Sequence, residues 1–191
     1  MPLHKHFKLY KPYGYISQML SNDERQSRKK KFLSDLYPFP MGVMAIGRLD
    51  EKSEGLLLLT TDGKLSDMIN RSGVEKEYYA QVDGQISDKE IKKLKEGVTI
   101  GVNGKKYLTK PCKVHIVDSP QFPDRSKKIR DSRHGPTSWI SIIIKEGKYR
   151  QVRKMTSAVG FPTLRLVRIR IGSQTLKDLE PSQVISVKKL I

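Results

Sequence analysis

The chain has one cysteine, Cys112, and one tryptophan, Trp139, among its 191 residues. A single thiol excludes an intramolecular disulfide framework and a structural zinc site built on a cysteine cluster. It also fits a reducing compartment. No apolar run approaches the roughly 20 residues that cross a bilayer as a helix; the longest, Gly55-Leu56-Leu57-Leu58-Leu59, is strand-sized. The opening MPLHKHFKLYKPYGY carries basic residues with no apolar stretch behind them, so it is not a secretory signal. His4 and His6, an isolated pair near the terminus, read as polar surface, and no metal site is expected. Acid is the scarce charge: 20 Asp+Glu against 37 Lys+Arg leave a formal net charge of +17. The expectation is a soluble, cytoplasmic protein without membrane association, folding as one domain over residues 1–191 without staples.

That surplus of positive charge exceeds what solubility asks of a small domain. It predicts a field that attracts polyanions, and nucleic acid is the partner whose phosphates release counterions on binding. The cations cluster along the whole chain: Arg28-Lys29-Lys30-Lys31, then Lys105-Lys106, then Arg125 to Arg133, then Lys145 to Lys154, then Arg165, Arg168 and Arg170. A binding surface assembled from many segments is expected, with Lys11, Lys29, Lys30, Arg130, Lys148, Arg150 and Lys154 as its candidate nucleic-acid contacts; charge does not separate RNA from DNA.

Hydrophobic periodicity outlines the elements. Phe7–Tyr10, Val43–Ile46, Leu56–Thr61, Tyr78–Val82 and Trp139–Ile144 read as strands. Leu65, Met68 and Ile69 predict a short helix over 64–71, and Val152, Met155 and Val159 another over 151–159. Ser87-Asp88-Lys89-Glu90 is a capping box that opens a helix. Asn103-Gly104 predicts a hairpin between a strand over 98–102 and one running from about 107 to 117. Residues 17–32 lack helical periodicity and are expected to be a mobile loop, and 118–136 a long loop. Leu164–Ile171 alternates apolar residues with arginine, predicting a half-buried strand with a basic face. About eight strands and three or four short helices without a βαβ rhythm give an α+β protein with a mostly antiparallel sheet.

The most informative stretch is Gly47-Arg48-Leu49-Asp50-Glu51-Lys52-Ser53-Glu54-Gly55 with the apolar run behind it. It places a carboxylate in a polar loop between hydrophobic walls, where reactive groups usually sit. An Asp that merely caps its own loop beside Arg48 is the commoner outcome for such a residue. Tyr78 alone reads as a core tyrosine, and Arg153 alone as a phosphate contact on a basic helix.

Taken through Gly63, that stretch resembles the GRLDxxSxGLLLLTxDG signature of the RsuA-type RNA pseudouridine synthases. Three more motifs of that branch flank it, one before and two after: Lys11-Pro12-Tyr13-Gly14 resembles KPxG, Lys76-Glu77-Tyr78 with Val82 resembles KxYxxxV, and Glu146 to Met155 resembles EGxxRQVRRM. Departures are small: Lys154 stands where Arg is frequent, and Thr61-Asp62 where Asn-Asp or Asn-Asn is commoner. The segments 135–140 and 159–166 are similar to the large-subunit rRNA pseudouridine synthase E group, whose members lack the N-terminal S4 RNA-binding domain, and none is expected here.

The resemblance implies a fold of two lobes with a cleft between them and conversion of a flipped-out uridine of ribosomal RNA, 23S before 16S, to pseudouridine. No cofactor is expected, and the protein is expected to be a monomer. It assigns Asp50 as nucleophile or base, Arg153 as the cation that keeps Asp50 ionised, and Tyr78 as the ring that stacks on the base and helps deprotonate C5. Arg48, Lys76 and Leu166 are implied to hold or wall the substrate. The competing reading is a non-catalytic rRNA-binding or ribosome-assembly protein of the same fold. A DNA-binding regulator would want a helix-turn-helix or dimer pattern, which the sequence lacks.

Overall fold

A computed structural model describes residues 4–177 and 179–190. In chain order the elements are β1 (His6–Lys11), α1 (Glu24–Lys29), β2 (Met44–Ile46), β3 (Glu54–Thr60), α2 (Gly63–Arg71), β4 (Lys76–Asp83) and α3 (Asp88–Glu96). Then come β5 (Thr99–Val102), β6 (Lys105–Leu108), β7 (Lys113–Val117), β8 (Thr137–Ile144), α4 (Gln151–Ala158), β9 (Thr163–Ile171), β10 (Gln174–Thr175) and β11 (Val184–Val187). Short 3-10 turns lie at Leu33–Asp35 and Ser132–His134. The chain divides into two compact units: Met1–Val74 with Pro123–Lys127 and Arg168–Ile191, and Glu75–Phe122 with Lys128–Val167. The division falls inside β9, between Val167 and Arg168.

In the first unit β1 lies between β11 and β3, antiparallel to both, with Tyr10 opposite Leu56 and Lys11 opposite Gly55. β2 pairs with the Leu58–Thr60 end of β3. Leu56, Leu57, Leu58 and Leu59 are all fully buried, so β3 is covered on both faces. This explains why its sequence is a continuous apolar run rather than an alternation. Phe7, Leu9, Leu33, Val43, Leu57 and Leu59 form one core cluster. The Asp62 carboxylate caps α2 by accepting from Leu65 N–H (3.1 Å) and Lys64 N–H (2.9 Å). These donors, Leu65 first, hold the Asp62 carboxyl below its ordinary value.

In the second unit β8 is flanked by β4 and β7, antiparallel to both. β5 and β6 form a separate hairpin whose turn residues Asn103 and Gly104 have φ of 49° and 76°. Positive φ at both positions is the turn that matches the twist of two antiparallel strands. Ile91 and Leu94 bury the inner face of α3. Its box is half made: the Ser87 hydroxyl gives no cap bond and instead donates to Glu90 Oε2 at 2.5 Å.

Three sequence expectations need correction. The 17–32 segment is not wholly loop, because α1 occupies 24–29 without any apolar residue to announce it. The predicted strand over 107–117 is two strands, β6 and β7, parted at 109–112 where Pro111 cannot donate to a ladder. β9 has no solvent-facing basic side along its middle: Arg165 is 6% and Arg168 2% exposed. Among the described residues no helix is long and apolar enough to cross a membrane.

Candidate active site

The Asp50 loop belongs to the first unit and is fixed by a second turn, residues 12–17. Ser17 clamps it twice: its hydroxyl donates to Leu49 O and accepts from Leu49 N–H, both at 2.9 Å. Gly14 N–H donates to Glu51 O at 2.8 Å, and Ser53 N–H closes the loop onto Asp50 O at 3.0 Å. Leu49 is buried, Asp50 half-buried and Arg48 exposed. A carboxylate held on a loop this firmly bonded needs little further ordering when a ligand arrives.

Beneath it sits a fully buried ammonium. Lys11 Nζ donates to Tyr15 O (2.6 Å) and Pro12 O (2.9 Å), tying the 12–17 turn together. Burial drives its pKa from 10.5 down to about 7; the charges of Glu54, Asp50 and Glu51 resist that fall and Arg168 adds to it. The expected RNA contact at Lys11 is therefore corrected: the ammonium is 0% exposed and bonded to the protein's own carbonyls. Sequence reading met Glu54, Arg125 and Arg168 only as members of the loop and of the cationic clusters, without giving them a place in the site. Glu54 pairs with Arg125 at 3.9 Å, Arg125 stacks over the Tyr13 ring at 4.7 Å, and Arg168 Nε donates to Leu56 O at 2.8 Å. Glu54 stands in the motif stretch just before the leucine run and Arg168 in the alternating strand over 164–171, so the signal was an acid or base beside or inside an apolar run.

The second unit holds the other candidates. Tyr78 lies in β4 opposite Ile142 and is 8% exposed. Lys76, at the start of the same strand, is half-buried, and Leu166 is 5% exposed in β9. Arg153, half-buried on α4, donates through Nη1 to Thr163 O at 3.3 Å. Arg150, the residue before that helix, has left-handed φ and ψ of 52° and 35°.

The expected RNA contacts fall into two groups. Lys30 is in an ion pair with Glu51 at 2.6 Å. Arg130 grips Asp83 with both guanidinium nitrogens and reaches Pro136 O at 3.4 Å. Arg130 is thus tied to its own chain while its side chain stays 22% exposed. Lys29 and Lys148 are exposed, and Lys154 is half-buried with Nζ donating to Gly101 O at 2.7 Å. Cys112, the lone thiol, donates to Leu94 O, and burial first, then Glu146, pushes it up to about 11, away from reactive thiolate character.

The family model described as RNA pseudouridylate synthase matches residues 5–158. A ribosomal large subunit pseudouridine synthase E of Vibrio parahaemolyticus is 43% identical over 175 residues, 91% of this chain and 69% of that protein. Its namesake in Xanthomonas axonopodis pv. citri is 40% identical over 176 residues, 91% of this chain and 88% of that one. A crystal structure of a pseudouridylate synthase superposes with a TM-score of 0.76 at 28% identity, covering 96% of this chain and 70% of that chain.

Proposed function

The chain belongs to the RNA pseudouridylate synthase family, and from that premise we propose that it isomerises a uridine of large-subunit, 23S ribosomal RNA with Asp50 carrying the chemistry. The identity to two large-subunit enzymes supports 23S over 16S rRNA. The observation that carries the reading is the Asp50 loop: a half-buried carboxylate on backbone clamped by Ser17, Gly14 and Ser53.

The reaction breaks the N1–C1′ glycosidic bond, turns the uracil, and forms a C5–C1′ bond. C5 gives up its hydrogen as a proton and N1 gains one, so the product is an isomer and no electron acceptor is consumed. Asp50 attacks the nucleoside or takes a ribose proton. Tyr78, 8% exposed, stacks on the base and assists loss of the C5 proton. Arg153 is the cation that the family motif assigns to this carboxylate. Arg48 stands exposed two residues from Asp50, placed for a phosphate of the opened RNA. Lys76 and Leu166 hold and wall the nucleoside. The target must leave its stack before C1′ and C5 are both reachable. The enzyme works as a monomer in the cytoplasm, where ribosomal RNA is matured.

Tritium release from rRNA labelled at uridine C5 tests this. Wild-type protein releases the label, and Asp50→Asn lowers release at least about a hundredfold while keeping its affinity for the RNA. Full activity in that variant refutes the role of Asp50. RNA binding with no release from wild-type protein refutes the enzyme and leaves a binding protein.

A further inference from the structure

The loop before α4 presents an aromatic ring that nothing in the reaction above uses. Tyr149 is 68% exposed. The residues on either side of it are bonded in place. Glu146 Oε1 accepts from Gln151 Nε2 (2.5 Å) and Lys110 N–H (3.0 Å), and Glu146 Oε2 accepts from the Tyr107 hydroxyl (2.6 Å). Lys148 N–H donates to Gln151 Oε1 at 2.9 Å, and Arg150 takes a left-handed conformation that side chains rarely adopt. The loop is thus stapled to β6 on one side and to α4 on the other.

One cation lies over the ring and two more flank it in sequence. Lys154 Nζ lies 5.2 Å from its centroid, Lys148 Nζ lies over Tyr107 at 4.9 Å, and Arg150 follows directly in sequence. Beside them, between α4 and β5, runs an open groove of about 430 Å³ lined by Thr99, Gly101, Arg150, Arg153, Lys154 and Ser157 among others. No carboxylate lines it. Lys106, exposed, stands opposite Gly101 in the hairpin register and extends the basic lining along β6.

We propose that this groove and Tyr149 grip a single-stranded segment of the RNA, an unpaired base stacking on the Tyr149 ring while the flanking Lys and Arg side chains hold its phosphates. An exposed aromatic face interleaved with cations is the chemistry that holds unpaired nucleotides without reading their sequence. An acidic peptide would use the cations and leave the ring idle. A duplex would present phosphates and no free base face. The inference deepens the proposed function by naming the form of RNA bound outside the reacting nucleoside, and it rests on that reading only for the identity of the natural RNA.

Gly101 supplies a clean probe. A Cβ built there meets nothing within 4 Å, so this groove-lining position takes a side chain without moving the fold. Anisotropy of a fluorescein-labelled oligouridine, single-stranded or annealed to oligoadenosine, measures the affinity of full-length protein. Tyr149→Ala weakens single-strand binding about 5- to 100-fold and duplex binding much less, and Tyr149→Phe restores it. Gly101→Glu weakens binding strongly and Gly101→Gln much less, with thermal melts unchanged for both. In tritium release Tyr149→Ala raises KM more than it lowers kcat. Wild-type single-strand affinity in Tyr149→Ala, equal losses for both RNA forms, or an inert Gly101→Glu overturns the proposal. Intact RNA affinity with lost binding of a polyglutamate peptide assigns the surface to a protein instead. Absence of tritium release from wild-type protein refutes the isomerase and leaves these binding results to be judged by themselves.

Discussion

Two loops, one in each unit, are fixed with different materials and for different ends. The loop carrying Asp50 is held by neutral groups and a buried cation: a hydroxyl, two backbone amides and the Lys11 ammonium. The loop carrying Tyr149 is held by a carboxylate, Glu146, which takes three donors. The first spends its positive charge inside the fold, where Lys11 and Arg168 are 0% and 2% exposed. The second spends its negative charge on the scaffold and leaves Lys148 outside. A net charge of +17 therefore overstates the RNA-facing surface of the Asp50 region and describes that of the Tyr149 region fairly. Counting cations does not separate these uses; asking which acid or carbonyl each one meets does.

Glycine shows the same contrast at the largest scale. Gly55 has φ of +105°, and a Cβ there would lie 2.3 Å from Arg168 O and 2.7 Å from Arg168 N. Both are backbone atoms in a strand, so neither yields. Gly55→Ala is expected to destabilise by at least about 3 kcal/mol, lowering Tm by about 6–12 °C for a chain of this size. Gly101→Ala, entering open space at an ordinary backbone angle, leaves Tm within about 2 °C. Thermal melts of the two variants side by side check this, and comparable losses would erase the distinction between a packed and an open backbone.

What was legible follows from the same physics. β3 and the loop before it were readable because a run of leucines between glycines has few other uses, and α4 because Val152 and Met155 fall on one face and are buried. The hairpin at Asn103-Gly104 was readable because the turn demands those residues. α1 was not: ERQSRK has no apolar residue, and a pattern of burial cannot be read where none is written. The fate of Lys11 was hidden because the charges that bear on it, Glu54, Asp50, Glu51 and Arg168, arrive from about forty to more than a hundred fifty residues away. Asp50, Tyr78 and Arg153 were singled out by motif; spacing alone left each with a structural alternative.

Lys11 gives the next largest effect, and a sign. Its folded value of about 7 lies below the unfolded 10.5, so between those two pH values the unfolded chain holds a proton that the folded chain has released. Stability from this group therefore rises as pH climbs from about 7 to 10.5, and the burden of the buried charge is full below 7. One proton sets the limit at about 1.4 kcal/mol per pH unit. Urea unfolding of wild type and Lys11→Met across that window should show the variant with the flatter slope. Parallel slopes would mean that the ammonium reaches water in the folded protein.

The smallest expected effect is also the sharpest on which cations face RNA. Each phosphate contact on a single strand contributes about 0.7 to the slope of log K against log salt. Lys148 is exposed beside the groove, so Lys148→Ala should lower that slope by about 0.7 with single-stranded oligouridine. Lys11 is buried and bonded to Pro12 and Tyr15 carbonyls, so Lys11→Met should leave the slope where it was, although in titrations run about one pH unit below its folded value of about 7 both variants remove one positive charge from the chain. Equal drops in the two titrations would show that net charge alone governs binding. The contrast between a cation built into the fold and one presented on it would then have no consequence for RNA.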